Sequence, residues 1–171
     1  LEGLALIETA PFLDERGAFA RLFCAEELAA LRLPGPIAQI NHSLTRTVGA
    51  VRGLHFQRTP KAEAKIIRCL RGRVFDVAVD IRRGSPTFLK WHGVVLSAAN
   101  RLAYYLPQGF AHGFQVLEPE SELLYLHTEF FSPEHEGGLR HDDPALGIPW
   151  PLPVVDLSAR DATHLSLIHI S

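Results

Sequence analysis

Cysteine is scarce: the chain has only Cys24 and Cys69, far apart and in no CxxC pair. That spacing argues against a disulfide scaffold and against a structural zinc site. The two read as small buried apolar residues of a reducing compartment. No apolar run is long enough to span a bilayer, and no signal-peptide pattern opens the chain. No membrane association and a cytoplasmic location are therefore expected. The first residue is Leu1 rather than methionine, so the natural N-terminus is expected upstream. An excess of charge is missing too, because 17 Lys and Arg face 19 Asp and Glu for a net charge of −2. Without a basic field no nucleic-acid partner is expected, and any anionic ligand needs a local cluster of cations. Repeats, linkers and low-complexity tracts are also absent.

What is present fits one globular domain. The 171 residues are 47% apolar and 21% charged, enough to bury a core. Short stretches rich in β-branched and aromatic residues dominate: "LALIET", "AFARLF", "IAQINHS", "AVRGLHFQ", "AKIIRCL", "RVFDVAVDI", "TFLKWHGVVLS", "LAYYLP", "HGFQVLE" and "ELLYLHTEFF". Gly, Pro, Asn and Arg punctuate them, as expected of an all-β sandwich or jelly roll. In "RVFDVAVDI", Phe75, Val77, Val79 and Ile81 alternate with Asp76, Ala78 and Asp80, the pattern of a half-buried strand. A short helix is expected at "AEELAALRL", stopped by Pro34 and Gly35. Residues 133–153, rich in Pro, Gly, Asp and Glu, should be irregular. The domain is placed at residues 1–164, with "LSLIHIS" at 165–171 read as a non-native extension in which His169 carries no functional weight.

The stretch "RGLHFQ" raises the first question about chemistry. Side chains alternate along a plain strand, so Arg52 and His55 would point to opposite faces. A bulge at Gly53 inserts one residue and brings both to one face. A cation and an imidazole would then enter one cavity. Of the nine histidines, His42, His92, His127, His135, His141 and His164 are read as surface or satisfied polar groups. His55 and His112, the latter in "PQGFAHGF", lie among glycines and aromatics in strand contexts. Each is either core filler or part of a site. A cupin-type metal centre pairs two histidines as HxH with a carboxylate, but Phe56 and Gln57 follow His55. No metal and no cofactor are expected.

The motifs "DERGAF", "QINHS", "RGLHFQ", "KIIRCLRGRVFDVAVDIRRGSPTF", "PQGFAHGF", "LYLHTEFFSPEHEGGLRHDDPALGIPWP" and "SARD" run in order from about residue 4 to 161. Together they resemble the dTDP-4-dehydrorhamnose 3,5-epimerase family. The resemblance implies a double-stranded β-helix, a cupin-like jelly roll, that works without metal on a dTDP-4-keto-6-deoxyhexose. The 4-keto group acidifies the C3 and C5 hydrogens, and inversion through an enolate needs a base and a proton donor on opposite ring faces.

By resemblance His55 is the base, Asp161 its carboxylate partner and Tyr125 the acid. Strand alternation puts Leu123, Tyr125 and His127 on one face. Lys65 matches a lysine near the developing oxyanion, and His112 a substrate-contacting histidine. Arg16 and Arg52 match phosphate ligands, Gln39, Asn41 and Glu136 match polar substrate contacts, and Phe19 belongs to the nucleotide pocket. Gln57, beside the catalytic motif, is included among the substrate-binding residues.

Three positions depart from the family pattern. Phe131 replaces a tyrosine that stacks on thymine, which costs only a hydroxyl. Arg21 replaces a glutamate near the base or sugar, exchanging an acceptor for a donor. Arg160 replaces a lysine beside Asp161 and keeps its charge. The family also implies a homodimer in which N-terminal strands cross to the neighbour. Alternatives are a single-site C3 or C5 epimerase, a 3,4-ketoisomerase on the same fold, and a non-catalytic sugar-nucleotide-binding sandwich.

Overall fold

The computed structural model describes residues 1–164; the "LSLIHIS" segment lies outside the described residues. The strands in chain order are β1 (Ala5–Ile7), β2 (Phe12–Asp14), β3 (Gly17–Phe19), β4 (Gln39–Thr45), β5 (Val51–Gln57) and β6 (Lys65–Arg71). They continue with β7 (Arg73–Asp80), β8 (Trp91–Ser97), β9 (Ala103–Leu106), β10 (Phe110–Val116), β11 (Ser121–His127) and β12 (Glu136–Gly138). One sheet has the order β1-β9-β6-β11-β4 and faces a second of order β12-β5-β10-β7-β8, while β2 and β3 form a separate hairpin. Strands adjacent in a sheet are antiparallel throughout. This is the expected all-β jelly roll. Among the described residues no helix is long and apolar enough to cross a membrane.

The core has three layers. Between the sheets, Ile67, Tyr104 and Leu123 meet Val74, Ala78, Phe114 and Val116. Behind the second sheet, Leu54, Val77, Val79 and Ala111 are covered by Leu139, Leu146, Ile148 and Trp150 from the C-terminal segment. Behind the first, Ile66, Tyr105 and Leu126 are covered by Leu28, Leu31, Leu33 and Ile37.

The structure corrects four expectations. β7 is buried on both faces rather than half-buried, with Asp76 and Asp80 both at 0% exposure. Its polar positions meet partners inside the protein, since buried polar groups must be hydrogen-bonded. The helix expected at "AEELAALRL" is a series of turns with a single 3-10 turn at Ala29–Leu31. Arg32 is left-handed at φ 55° and ends it, and the leucines lie on the first sheet instead of forming a helical stripe. Within the C-terminal stretch expected to be irregular, Glu136–Gly138 pairs with β5. Of the cysteines, Cys69 is buried but Cys24 only half-buried.

Candidate active site

The site begins with the bulge in β5. His55 lies opposite His112 on β10, but Arg52 lies opposite Phe114, so three steps along β5 match two along β10. Gly53 takes φ +123°, and a Cβ there would lie 2.6 Å from the Gly113 Cα and 2.7 Å from the His112 carbonyl oxygen. Only glycine allows that approach. As expected, the extra residue turns Arg52 and His55 into one cavity, of about 250 Å3. The Arg52 guanidinium donates to the Thr45 hydroxyl at 2.9 Å and the Leu44 carbonyl at 3.2 Å, which holds it against β4.

Asp161 reaches His55 from the far end of the chain. It sits in the one-turn helix α1 (Ala159–Ala162), whose Ser158 cap accepts from the Asp161 N–H at 3.1 Å. One carboxylate oxygen lies 2.6 Å from His55 Nε2, and the other accepts the Gly53 N–H at 3.1 Å. Burial raises the Asp161 carboxyl, but the His55 hydrogen bond and charge, with the Gly53 N–H, outweigh it and leave it below its ordinary value. A carboxylate there accepts the Nε2 proton, fixes the tautomer and leaves the lone pair on Nδ1.

Further inside, both oxygens of buried Asp76 lie 2.9 Å from His112 Nε2. Burial pushes this pair apart, the carboxyl upward and the imidazole downward, each opposed by its partner. β11 supplies Tyr125 and His127 on one face, with rings stacked at 6.1 Å. The Tyr125 hydroxyl is 2.7 Å from that of Ser43 on β4. Burial pushes the phenol up to about 12 despite the Ser43 bond, so it stays protonated at neutral pH. Lys65 is buried with its ammonium 3.5 Å from Glu63, whose other oxygen is 3.0 Å from His127 Nδ1. Burial raises the Glu63 carboxyl, but His127 and Lys65 together hold it below its usual value.

Of the residues singled out from the sequence, Asn41, Arg52, His55, Gln57, Lys65, His112, Tyr125, Phe131 and Glu136 line this cavity. Asp161 stands directly behind His55. Arg160 pairs with Glu136 and lines a neighbouring cavity with Asp161. Gln39 acts at one remove, its side-chain oxygen accepting the Phe131 N–H at 2.9 Å. Gln57 also ties down loops, donating to Lys61 and Phe130 carbonyls and accepting from Ser132 N–H. Three residues are not brought to the cavity of their own chain. Arg21 pairs with Glu27 at 2.6 Å. Arg16 pairs with Asp14 at 2.7 Å on the β2–β3 hairpin, where Phe19 is 70% exposed.

Several site residues escape sequence reasoning. Glu63, Phe56, Phe114 and His127 line the cavity, and Asp76 and Ser43 stand behind His112 and Tyr125. For His127 the signal was available, since alternation places it beside Tyr125. Asp76 was visible as an acid between apolar neighbours, but nothing local named its partner. Among the described residues, His55, Asp161 and His164 offer potential metal-ligand atoms all within 4.8 Å of one another.

A histidine backed by a carboxylate, a protonated phenol and a buried ammonium in one cavity can remove a proton beside a carbonyl, hold the resulting oxyanion and return a proton. A family model described as dTDP-4-dehydrorhamnose 3,5-epimerase matches residues 1–169. The chain is 45% identical over 161 residues to the dTDP-4-dehydrorhamnose 3,5-epimerase of Salmonella typhimurium, covering 92% of this chain and 86% of that one. Among solved structures it is similar to a dTDP-6-deoxy-D-glucose-3,5-epimerase from Legionella pneumophila in complex with dTDP-4-keto-L-rhamnose. There the TM-score is 0.95 at 41% identity, with 100% of this chain and 91% of the other covered. A 3'-monoepimerase from Streptomyces bikiniensis in complex with dTDP-quinovose gives 0.91 at 36% identity, covering 98% of this chain and 85% of that one. With a family match over residues 1–169 and a relative 45% identical over most of both chains, the chain belongs to the dTDP-4-dehydrorhamnose 3,5-epimerase family.

Proposed function

We propose that this chain converts dTDP-4-keto-6-deoxyglucose to dTDP-4-keto-L-rhamnose by inverting C3 and C5. The observation that carries this reading is His55, backed by Asp161, in the same cavity as a Tyr125 held protonated. His55 Nδ1 takes the proton from the carbon beside the 4-keto group. The C–H electrons move into the ring and the carbonyl electrons onto O4. Lys65 faces the developing O4 charge, and a fixed cation is worth more in a closed cavity than in water. His112 donates to the same oxygen from Nδ1 when the Asp76 carboxyl, raised by burial, carries the proton shared with Nε2. Tyr125 then delivers its proton to the opposite face of the same carbon. Ser43, 2.7 Å away, relays a solvent proton to the phenolate, and His55 releases its proton to solvent. Repeating the cycle at the second carbon completes the reaction.

Arg52 is placed for the diphosphate, since guanidinium matches phosphate oxygens in geometry and charge. Phe131, 58% exposed where it borders the cavity, offers its ring to the thymine. The hairpin supports a homodimer with exchanged N-terminal strands. Phe12, Leu13 and Phe19 are 77%, 73% and 70% exposed, and burying each would contribute about 1.5–3 kcal/mol. A neighbour's cavity is a destination for Arg16 and Phe19 that their own chain does not provide.

The test is NMR of the purified protein with dTDP-4-keto-6-deoxyglucose in D2O. Deuterium is expected at both C3 and C5. One deuterated centre would assign a single-site epimerase, like the 3'-monoepimerase that the chain resembles in structure. No deuterium at all would leave a binding protein.

A further inference from the structure

Beside the catalytic pair stands a group that the proposed reaction does not use. His164 follows α1 and packs over Gly138, a Cβ on which would overlap the imidazole. Its ring meets His55 edge-on, with centroids 5.8 Å apart at 90°. His164 Nδ1 is 3.2 Å from the Leu139 carbonyl, so Nδ1 donates there and the lone pair lies on Nε2. Asp161 has one oxygen on the Gly53 N–H and the other toward His55 Nε2. In both residues the atom away from the cluster is held by a backbone group while the other is left toward it. That is how ligands are oriented around a metal.

We propose that His55, Asp161 and His164 form a site for a zinc-type divalent ion, and that occupancy switches the epimerase off. Two imidazoles and one carboxylate suit a borderline-soft transition ion far better than magnesium or calcium. The ligand atoms lie within 4.8 Å of one another, and on an ion with bonds of about 2.0–2.2 Å they would sit roughly 3.3–3.6 Å apart. The longer separations therefore close, while His55 Nε2 and Asp161, now 2.6 Å apart, open to admit the ion. A water completes a tetrahedral set. A neighbouring cavity of about 350 Å3, lined in part by His55, Asp161 and Ser158, gives access from behind the substrate cavity.

The inhibitory effect follows from the tautomer, and this part rests on His55 being the base. The ion takes the position of the proton between His55 Nε2 and Asp161. The neutral ring keeps one proton, which moves to Nδ1 through solvent. Nδ1 then has no lone pair to accept the substrate's proton. No electron transfer is involved, and a chelator reverses the change.

Zinc is titrated into metal-free protein by calorimetry, with cobalt absorption as a second readout of coordination, and proton exchange is followed at each occupancy. The wild type is expected to bind one ion at this site and to lose exchange in step with it, while magnesium does neither. His164→Ala and the bulkier His164→Asn should weaken binding by roughly 10–100-fold or more and leave metal-free turnover unchanged. Equal zinc affinity in wild type and both variants would overturn the site. Binding that leaves exchange intact would overturn the switch. Because calorimetry and absorption need no substrate, the site stands or falls separately from the proposed epimerase reaction.

Discussion

His55 and His112 are direct cross-strand partners on β5 and β10, and each has its own carboxylate, Asp161 at 2.6 Å and Asp76 at 2.9 Å. The two pairs differ in their access to water. The His55 side chain is 32% exposed and the His112 side chain 6%. A base that must pass its proton to solvent belongs in the first setting. A fixed hydrogen-bonding group that faces a developing oxyanion belongs in the second.

His55→Ala is expected to lower deuterium exchange into the substrate by roughly 10²–10⁴-fold while the fold and dTDP affinity survive. Arg52 is held by Thr45 and Leu44 and does not depend on His55. Exchange at the wild-type rate, measured by NMR, would mean that another group is the base.

Tyr125→Phe keeps the ring, and with it the stack on His127, but removes the proton donor. The enolate should still form, with His55 returning a solvent proton to the original face. Deuterium should therefore enter with retention while epimerised product falls by roughly 10²–10⁴-fold. Ser43→Ala, which removes only the partner at 2.7 Å, should give the same pattern with a smaller loss. Exchange and inversion that decline together, and slightly, would make Tyr125 only a wall of the cavity.

Exhaustive chelation should leave turnover undiminished, because the proposed steps are carried by side chains alone. Loss of activity restored by zinc or iron would contradict this.

Acid should destabilise the fold in part through Asp80. Burial alone would raise this carboxyl, but hydrogen bonds from Arg82, Thr87 and Ser85 hold it well below the usual carboxylate range. The unfolded chain therefore takes up a proton at higher pH than the folded one. The stabilisation is complete above the ordinary carboxylate range near pH 4 and is lost as pH falls below it. Asp80→Asn should cost about 1–3 kcal/mol at neutral pH and flatten the fall of Tm between about pH 5 and pH 2. A parallel fall of Tm in both proteins would place the acid sensitivity elsewhere.

Local pattern alone determined most of the strands, the kink at Gly53 and the face shared by Tyr125 and His127. Alternation and glycine sterics act over a few residues, so a short stretch carries the whole signal. Asp161 lies 106 residues from His55, and Asp76 lies 36 from His112. Those pairs exist because sheet register and a C-terminal turn bring distant segments together. Family likeness named Asp161, but no spacing in the chain could. The polar face of β7 shows the same limit, since alternation marks a position as polar without telling whether water or a buried partner satisfies it. Tertiary structure alone decided that Asp76 faces a histidine, that Glu63 is shared by Lys65 and His127, and that His164 comes to rest against His55.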